Sequence, residues 1–374
     1  MKTLLTISVL ALLSACSGKE TGSTESGNIL ENLTYSVDTV VVDSGQEIIN
    51  LSGLVHLFHR LSEPNTIYQF DEKQSKIHKI DLDSKSLIST FEFEKEGPDG
   101  IGKTFSGFEV LSGERFLIAS FESQGVFDAS GAKEFDLNVS DYFDPENDYQ
   151  EELLIPYELR LSPDGKYAYA LAGDFFEGIW YFARLDLVNK TSRVWEMPEL
   201  LSSKDFTIML TSETFDLRAE DVHLNKLKDG VAVTVGSSSS VYAYYPSSDS
   251  LQLIKFPHTL TAAEKSGTYP PEVSSQKEFE EVVAAIDSEI SFDALAWDSS
   301  TSRYFRFASR NPTIASEKEE VFLYAYDAGL KLLGEQKVDG LTSRPTNYFF
   351  KDGKLYAYVN VEDELGFAVF TFNF

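Results

Sequence analysis

The segment Gly97-Pro98-Asp99-Gly100-Ile101-Gly102-Lys103-Thr104 has the G-x-x-x-x-G-K-[ST] spacing of a loop in which glycine amides cradle phosphate and the lysine reaches its outer oxygens. Such a loop works between a buried strand and a helix whose N-terminal amides face the anion. Here Glu94-Lys95-Glu96 precedes it, and Gly107, Ser112-Gly113 and strand-like alternation follow. An inter-strand loop that binds no nucleotide is expected. The five histidines, His56, His59, His78, His223 and His258, show no i, i+4 pairing, so zinc hydrolysis has no support. His78 sits between Ile77 and Ile80 and reads as structural, His258 as a loop residue. His56 and His59 would face opposite sides of one strand. Gly236-Ser237-Ser238-Ser239-Ser240 lacks the second glycine of a strained serine elbow and reads as a loop. Asp141, Asp144, Glu146, Asp148, Glu151 and Glu152 could wrap calcium, but the glycine and spacing of an EF-hand are missing, which favours a solvated acidic loop.

Composition narrows the field further. The 374 residues carry 60 Asp+Glu against 32 Lys+Arg, a net charge of -28, with 42% hydrophobic residues and 13% aromatic ones. That is a globular composition, and its charge repels phosphate backbones and anionic lipid surfaces. No nucleic-acid partner is expected. Lys2, the apolar run Leu4 to Leu13 and Leu13-Ser14-Ala15-Cys16 have the charge, length and small-residue order of a secretory signal too short to span a bilayer. Its ending resembles the lipobox of bacterial lipoproteins, which implies cleavage after residue 15 and lipidation of Cys16. Cleavage removes Lys2 and leaves 31 Lys+Arg against 60 Asp+Glu, or -29. No free thiol then remains for disulfides, thiolate zinc or nucleophilic cysteine chemistry. Residues 16–33, rich in Ser, Gly, Thr and Glu, read as a flexible tether. Lys19-Glu20 resembles the charged export signal of surface-exposed Bacteroidetes lipoproteins.

The body, 34–374, repeats one unit: an apolar run, a tight polar turn and an alternating run. In the clearest copy, Leu159 to Leu161 turns at Ser162-Pro163-Asp164-Gly165 into Lys166 to Leu171. Others turn at Ser62 to Asn65, Ser112-Gly113, Asp229-Gly230, Asp298 to Thr301 and Asp352-Gly353. Two further strands follow in several units, such as Lys76 to Leu82 and Leu87 to Glu94. The pattern predicts an all-β fold, a β-propeller of six four-stranded blades with about 52 residues per blade. A seventh blade would need a degenerate unit within Tyr142 to Tyr157, and two stacked β-sandwiches are the alternative architecture. The last unit has three strands, and the orphan strand Thr34 to Asp43 can complete it, tying the termini together. An insertion, 259–290, carries the capping box Ser275-Gln276-Lys277-Glu278 and helical spacing of Phe279, Val282, Val283 and Ile286. One amphipathic helix packed on the propeller rim is expected. With Glu96-Gly97-Pro98, Tyr35 to Val40 and Trp297-Asp298 to Arg306, the chain resembles an uncharacterised family of six-bladed propeller lipoproteins of Bacteroidetes. That resemblance implies a fold and no activity.

In such a ring the first strand of each blade lines the central channel, where polar side chains from different blades converge. Those positions hold His59, Glu109, Glu158 or Arg160, Asp221 or His223, Asp293 and Asn347. One reading is a binding or scaffold module for a glycan, peptide or partner protein, with Arg160, His223, Trp297, Arg344 and Asn347 supplying stacking and hydrogen bonds. Another is a calcium site made by Glu109, Glu158, Asp221, Asp293 and Asn347, similar to calcium-dependent lactonase-type propellers, which would support a hydrolase, lactonase or lyase. A hydrated channel lined by acids for solubility is the plainest account. The non-enzymatic module is the preferred expectation, held by its lipid at the outer membrane, on the periplasmic face or the cell surface.

Overall fold

Tight turns decide where the chain reverses. At Ser162 to Gly165 the Gly165 amide donates to the Ser162 carbonyl over 2.9 Å, and Gly165 adopts φ +68°, a conformation that costs glycine little. The Asp164 carboxylate accepts from the Ser162 hydroxyl and the Lys166 amide, which locks the corner. Hairpins of this kind build the computed structural model, which describes residues 27–142, 158–174, 176–212, 215–316 and 318–374.

Strand β1 (Thr34–Val41) comes first, followed by blade I with β2 (His56–His59), β3 (Thr66–Asp71), β4 (Lys76–Asp81) and β5 (Ser86–Glu92). Blade II holds β6 (Phe105–Leu111), β7 (Arg115–Ser120), β8 (Gln124–Phe127) and β9 (Lys133–Asp136). Blade III holds β10 (Glu158–Leu161), β11 (Tyr167–Asp174), β12 (Ile179–Asp186) and β13 (Thr191–Glu196). Next come β14 (Ile208–Thr211) and β15 (Phe215–Arg218). Blade IV follows with β16 (Val222–Leu227), β17 (Gly230–Val235), β18 (Ser238–Tyr245) and β19 (Ser250–Ile254). After β20 (Glu272–Val273) and helix α1 (Gln276–Asp287), blade V holds β21 (Ser291–Phe292), β22 (Ala296–Asp298), β23 (Arg303–Arg310), β24 (Glu320–Asp327) and β25 (Leu332–Lys337). Blade VI consists of β26 (Tyr348–Lys351), β27 (Lys354–Val361) and β28 (Glu364–Asn373), completed by β1. Every blade is an antiparallel sheet; blades I to IV run in simple sequence order, in blade V β21 and β22 both pair with β23, and in blade VI β1 is added beside β28.

The N-terminal strand closes the ring as expected. β1 pairs with β28 along its whole length, from Thr34 opposite Asn373 to Val41 opposite Gly366. Apolar clusters then sit between successive blades. Ile77 and Phe91 meet Phe108 and Phe116 between I and II, and Leu117 meets Ala168 between II and III. Leu171 and Phe182 meet Val233 and Tyr244, and Ala243 meets Tyr324, across the next two seams. Phe307 meets Leu355 between V and VI, and Leu365 and Phe367 meet Ile67 and Ile80 to complete the circle. Each blade buries both faces against its neighbours, which is why its middle strands read as apolar runs.

Three features depart from the sequence expectations or lie beyond them. Helix α1 forms where predicted, with the Ser275 side chain accepting from the Glu278 amide, but its stripe packs on a small extra sheet instead of on a blade. That sheet joins β15, β14 and β20, and Phe279 and Ile286 cover Phe206, Ile208 and Leu210. The connection between blades III and IV therefore shares one module with the insertion. The body also begins before Thr34, because Leu30 is fully buried with Phe305 and Val338, and Asn28 exchanges two hydrogen bonds with the Glu335 backbone. Of the segment Tyr142 to Tyr157, where a seventh blade would need its unit, Tyr142 is buried at the end of a short 3-10 turn and residues 143–157 lie outside the described ones. No helix among the described residues is long and apolar enough to cross a membrane.

Candidate functional site

The innermost strand of a blade has one unpaired edge, and its amides and carbonyls need partners there. The polar side chains of these strands supply them from the neighbouring blade. Glu109 Oε2 accepts from the Leu161 amide over 3.1 Å, linking II to III. Asn225 Oδ1 accepts from the Leu295 amide over 3.0 Å, linking IV to V, while its Nδ2 donates to Thr234 Oγ1. Asn347 Nδ2 donates to the Val55 carbonyl over 3.0 Å, linking VI to the entry of I, and the Tyr348 hydroxyl donates back to the Ala294 carbonyl. Much of the polarity that sequence reading assigned to ligands thus serves to staple the ring.

Along the axis these strands enclose a cavity of about 1180 Å³ lined from all six blades. His59, Glu109, Glu158, Arg160, His223, Trp297 and Asn347 line it, whereas Asp221, Asp293 and Arg344 do not. Both members of the pair Glu158 and Arg160 reach the cavity, and His223 does so in preference to Asp221. Glu158 is the hub of the upper layer: Oε2 accepts from Arg160 Nη2 over 2.6 Å, and Oε1 lies 3.2 Å from His223 Nδ1. Burial works against charge on both partners. For Glu158, Arg160 and the His223 contact overcome it and hold the carboxyl below its ordinary range. For His223, the bond to Glu158 and the fields of Glu158, Asp221 and Asp293 overcome it and push the imidazole up to about 9. The ring is protonated at neutral pH while its side chain stays 42% exposed to the channel. In the second layer Lys226 of blade IV reaches across to Glu109 of blade II, whose side chain is only 2% exposed. Sequence reading missed Asn225, Lys226 and Lys228; Asn225 alternates with His223 along β16, which was an available signal, whereas Lys226 and Lys228 fall at the opposite parity, where alternation gives none. Trp297 packs at a tilt against Tyr304, with ring centroids 4.6 Å apart and planes at 52°.

The donor set does not fit calcium. Glu109 and Glu158 are each held by a cation, Asp293 lies 3.7 Å from Arg344, and Asp221 and Asp293 stand outside the cavity lining. Among the described residues no three His, Cys, Asp or Glu side chains are placed to hold a metal ion. A bound divalent cation needs several free carboxylate oxygens at one point, and here those of Glu109, Glu158 and Asp293 are spent on amides and cations, while Asp221 stands apart from the cavity.

The other sequence candidates are accounted for in place. The loop containing Gly97 to Thr104 joins β5 to β6 with no helix after it. Its Lys103 and Thr104 amides, and the Thr104 hydroxyl, donate to the carboxylate of Glu122, so the chain's own anion takes the amides a phosphate would use. These bonds hold the Glu122 carboxyl down to about 2. His78 is fully buried, with Nδ1 3.1 Å from Thr90 Oγ1. His258 stacks on Tyr324 at 4.2 Å, and burial lowers its pKa to about 4. The carbonyls of Ser238 and Ser239 accept from Arg306, which is wholly buried and also donates to the Asp293 and Val235 carbonyls. Of the acidic run, Asp141 accepts from Asn138 Nδ2; Asp144, Glu146, Asp148, Glu151 and Glu152 lie outside the described residues.

Six blades, a closing N-terminal strand and an axial cavity define a six-bladed β-propeller. A family model described as a domain of unknown function, DUF4221, matches residues 26–337, and the chain belongs to that family. A crystal structure of a DUF4221 member from Bacteroides vulgatus ATCC 8482 superimposes with a TM-score of 0.54 at 12% identity, covering 91% of this chain and 98% of that one. A putative exported protein from Bacteroides fragilis NCTC 9343 gives a TM-score of 0.50 at 10% identity, covering 91% and 95%. At these identities both likenesses speak for the fold alone. A search of curated proteins finds no match.

Proposed function

We propose that this chain is an exported, lipid-anchored propeller that binds a ligand in its axial channel and acts as a binding module, not as a catalyst. One observation carries the reading: a cavity of about 1180 Å³ into which all six blades send inner-strand side chains, with cationic donors and Trp297 among them. Its size suits a saccharide unit or the tip of a peptide. Export follows from the leader and Cys16, in keeping with a structural neighbour described as exported. An enzymatic reading loses its support with the calcium donor set, since Glu109 and Glu158, the two members of that set with carboxylates in the cavity, are neutralised by Lys226, Arg160 and His223.

The test is a thermal-shift and calorimetric screen of the protein against neutral and charged saccharides and short peptides. Binding raises the melting temperature by mass action. Trp297→Leu, which keeps an apolar group against Tyr304, is expected to weaken any true channel ligand by tenfold or more. A screen in which nothing binds, or in which every binder ignores Trp297→Leu, would refute the channel as the site.

A further inference from the structure

The charge of the cavity differs from that of the chain. Overall, 32 Lys+Arg face 60 Asp+Glu. In the cavity lining, Arg60, Arg115, Arg160, Lys226 and Lys228 face only Glu109, Glu134, Glu158 and Asp164, so the balance changes sign. Two of those four acids have no charge to offer a ligand. Glu109 is spent on the Leu161 amide and Lys226, and Glu158 on Arg160 and His223.

Of the cations, Arg60 is paired with Glu63, which lies outside the lining, and Arg115 with Glu134, while Arg160, Lys226 and Lys228 keep donors in reserve. Arg160 uses Nη2 on Glu158 and Nη1 on the Leu159 carbonyl, two of five N–H groups. Lys226 gives one of its three to Glu109 and remains 39% exposed. Among the described residues the Lys228 ammonium has neither an ion pair nor a hydrogen-bond partner, although its backbone is fixed by the Tyr304 hydroxyl at 2.6 Å. His223 adds a further N–H on the same strand as Lys226. On the adjoining blade Trp297 offers an aromatic surface to the same cavity. Surplus donors beside an aromatic ring recognise a molecule with an anionic group and an apolar or ring-shaped body.

Resting on the reading of the channel as a binding site, we propose that its ligand is a small organic anion: a carboxylate held by Lys226, Lys228 and Arg160, with its ring or apolar face against Trp297. Acidic sugars and aromatic carboxylates share that chemistry. A protein as acidic as this one disfavours anions over most of its surface, so the basic channel confines them to one place.

Calorimetry of the full chain with glucuronate, benzoate, glucose and inorganic phosphate separates the outcomes. Glucuronate or benzoate is expected to bind at least tenfold more tightly than glucose, and whichever of the two binds better identifies the source. Lys228→Glu, at an exposed side chain without a partner, is expected to weaken that binding by tenfold or more at an unchanged melting temperature. Glucose binding as tightly as glucuronate, with loss in Trp297→Leu, overturns the anionic class and leaves the channel reading standing. Phosphate matching the organic acids overturns the ring contact. No binding of any of the four, while neutral ligands from the wider screen bind, overturns this inference alone; silence from the whole screen removes both.

Discussion

Among the residues, His223 makes the sharpest case for reading geometry as electrostatics. Its imidazole is raised to about 9 because the bond to Glu158 and the nearby Asp221 and Asp293 outweigh the burial that opposes its charge. A folded pKa above the ordinary value of 6.5 means that the folded chain holds this proton more tightly than the unfolded one. The resulting stability is complete below about pH 6.5 and disappears as pH rises through 9. Proton NMR is expected to place the His223 titration near 9 in the intact protein. In Glu158→Gln, where burial is left with weaker opposition, it should fall by more than one unit. A His223 that titrates near 6.5 in both proteins would show that the Glu158 contact carries no weight. The same proton matters for the proposed ligand, because its loss removes one cation from the cavity, and anion affinity is therefore expected to decline over the same alkaline range.

At the level of strands and hairpins, the ring stands or falls on β1. It covers the open edge of β28, and the residues before it bury Leu30 in the seam between blades V and VI. Removing residues 27–41 exposes that edge and a seam-filling leucine, a loss of roughly 2–5 kcal/mol from the leucine alone. The urea midpoint is expected to fall accordingly, and amide exchange in β28 to accelerate. A synthetic 27–41 peptide added in trans should restore protection, as strand addition does at open sheet edges. An unchanged midpoint would mean that the last blade is stable with three strands. This pairing was legible in the sequence, because a lone alternating run at one end and a three-strand unit at the other have one economical solution. Hairpins were legible for a similar reason, since Pro163, Gly165 and their counterparts set local backbone angles. The small sheet under α1 was not, because it joins Met209 to Glu272 in parallel across a long stretch of chain, and strands of two to four residues leave little periodic signal. Site residues were half legible. Position along the inner strands placed Glu109, Arg160 and Asn347 on the channel, but the staples that occupy Glu109 and Asn347 depend on amides of another blade. No local pattern reports those partners.

On the scale of the whole molecule, charge and chain length together bear on how the proposed lipid anchor at Cys16 would hold this propeller. A body with a net charge near -28 is repelled by anionic lipid, so the proposed attachment would come through Cys16 and not from a basic face. Cys16 to Gly27 is twelve residues, and twelve residues span at most about 40 Å when fully extended. Asn28 is fastened to Glu335 on β25, so this span starts from the outer strand of blade V and not from the axis. An anchor at Cys16 would therefore join the propeller at its rim, leaving the channel free to face away from the lipid within that reach. Lipid on Cys16 should be the sole attachment. Wild-type protein is expected in the membrane fraction and to resist a high-salt wash, whereas Cys16→Ser should move to the soluble fraction with the same melting temperature. Channel binding should be unchanged in Cys16→Ser, because Cys16 is not among the residues that line the cavity. A Cys16→Ser protein that stays on the membrane would require a second attachment surface and defeat the argument from charge.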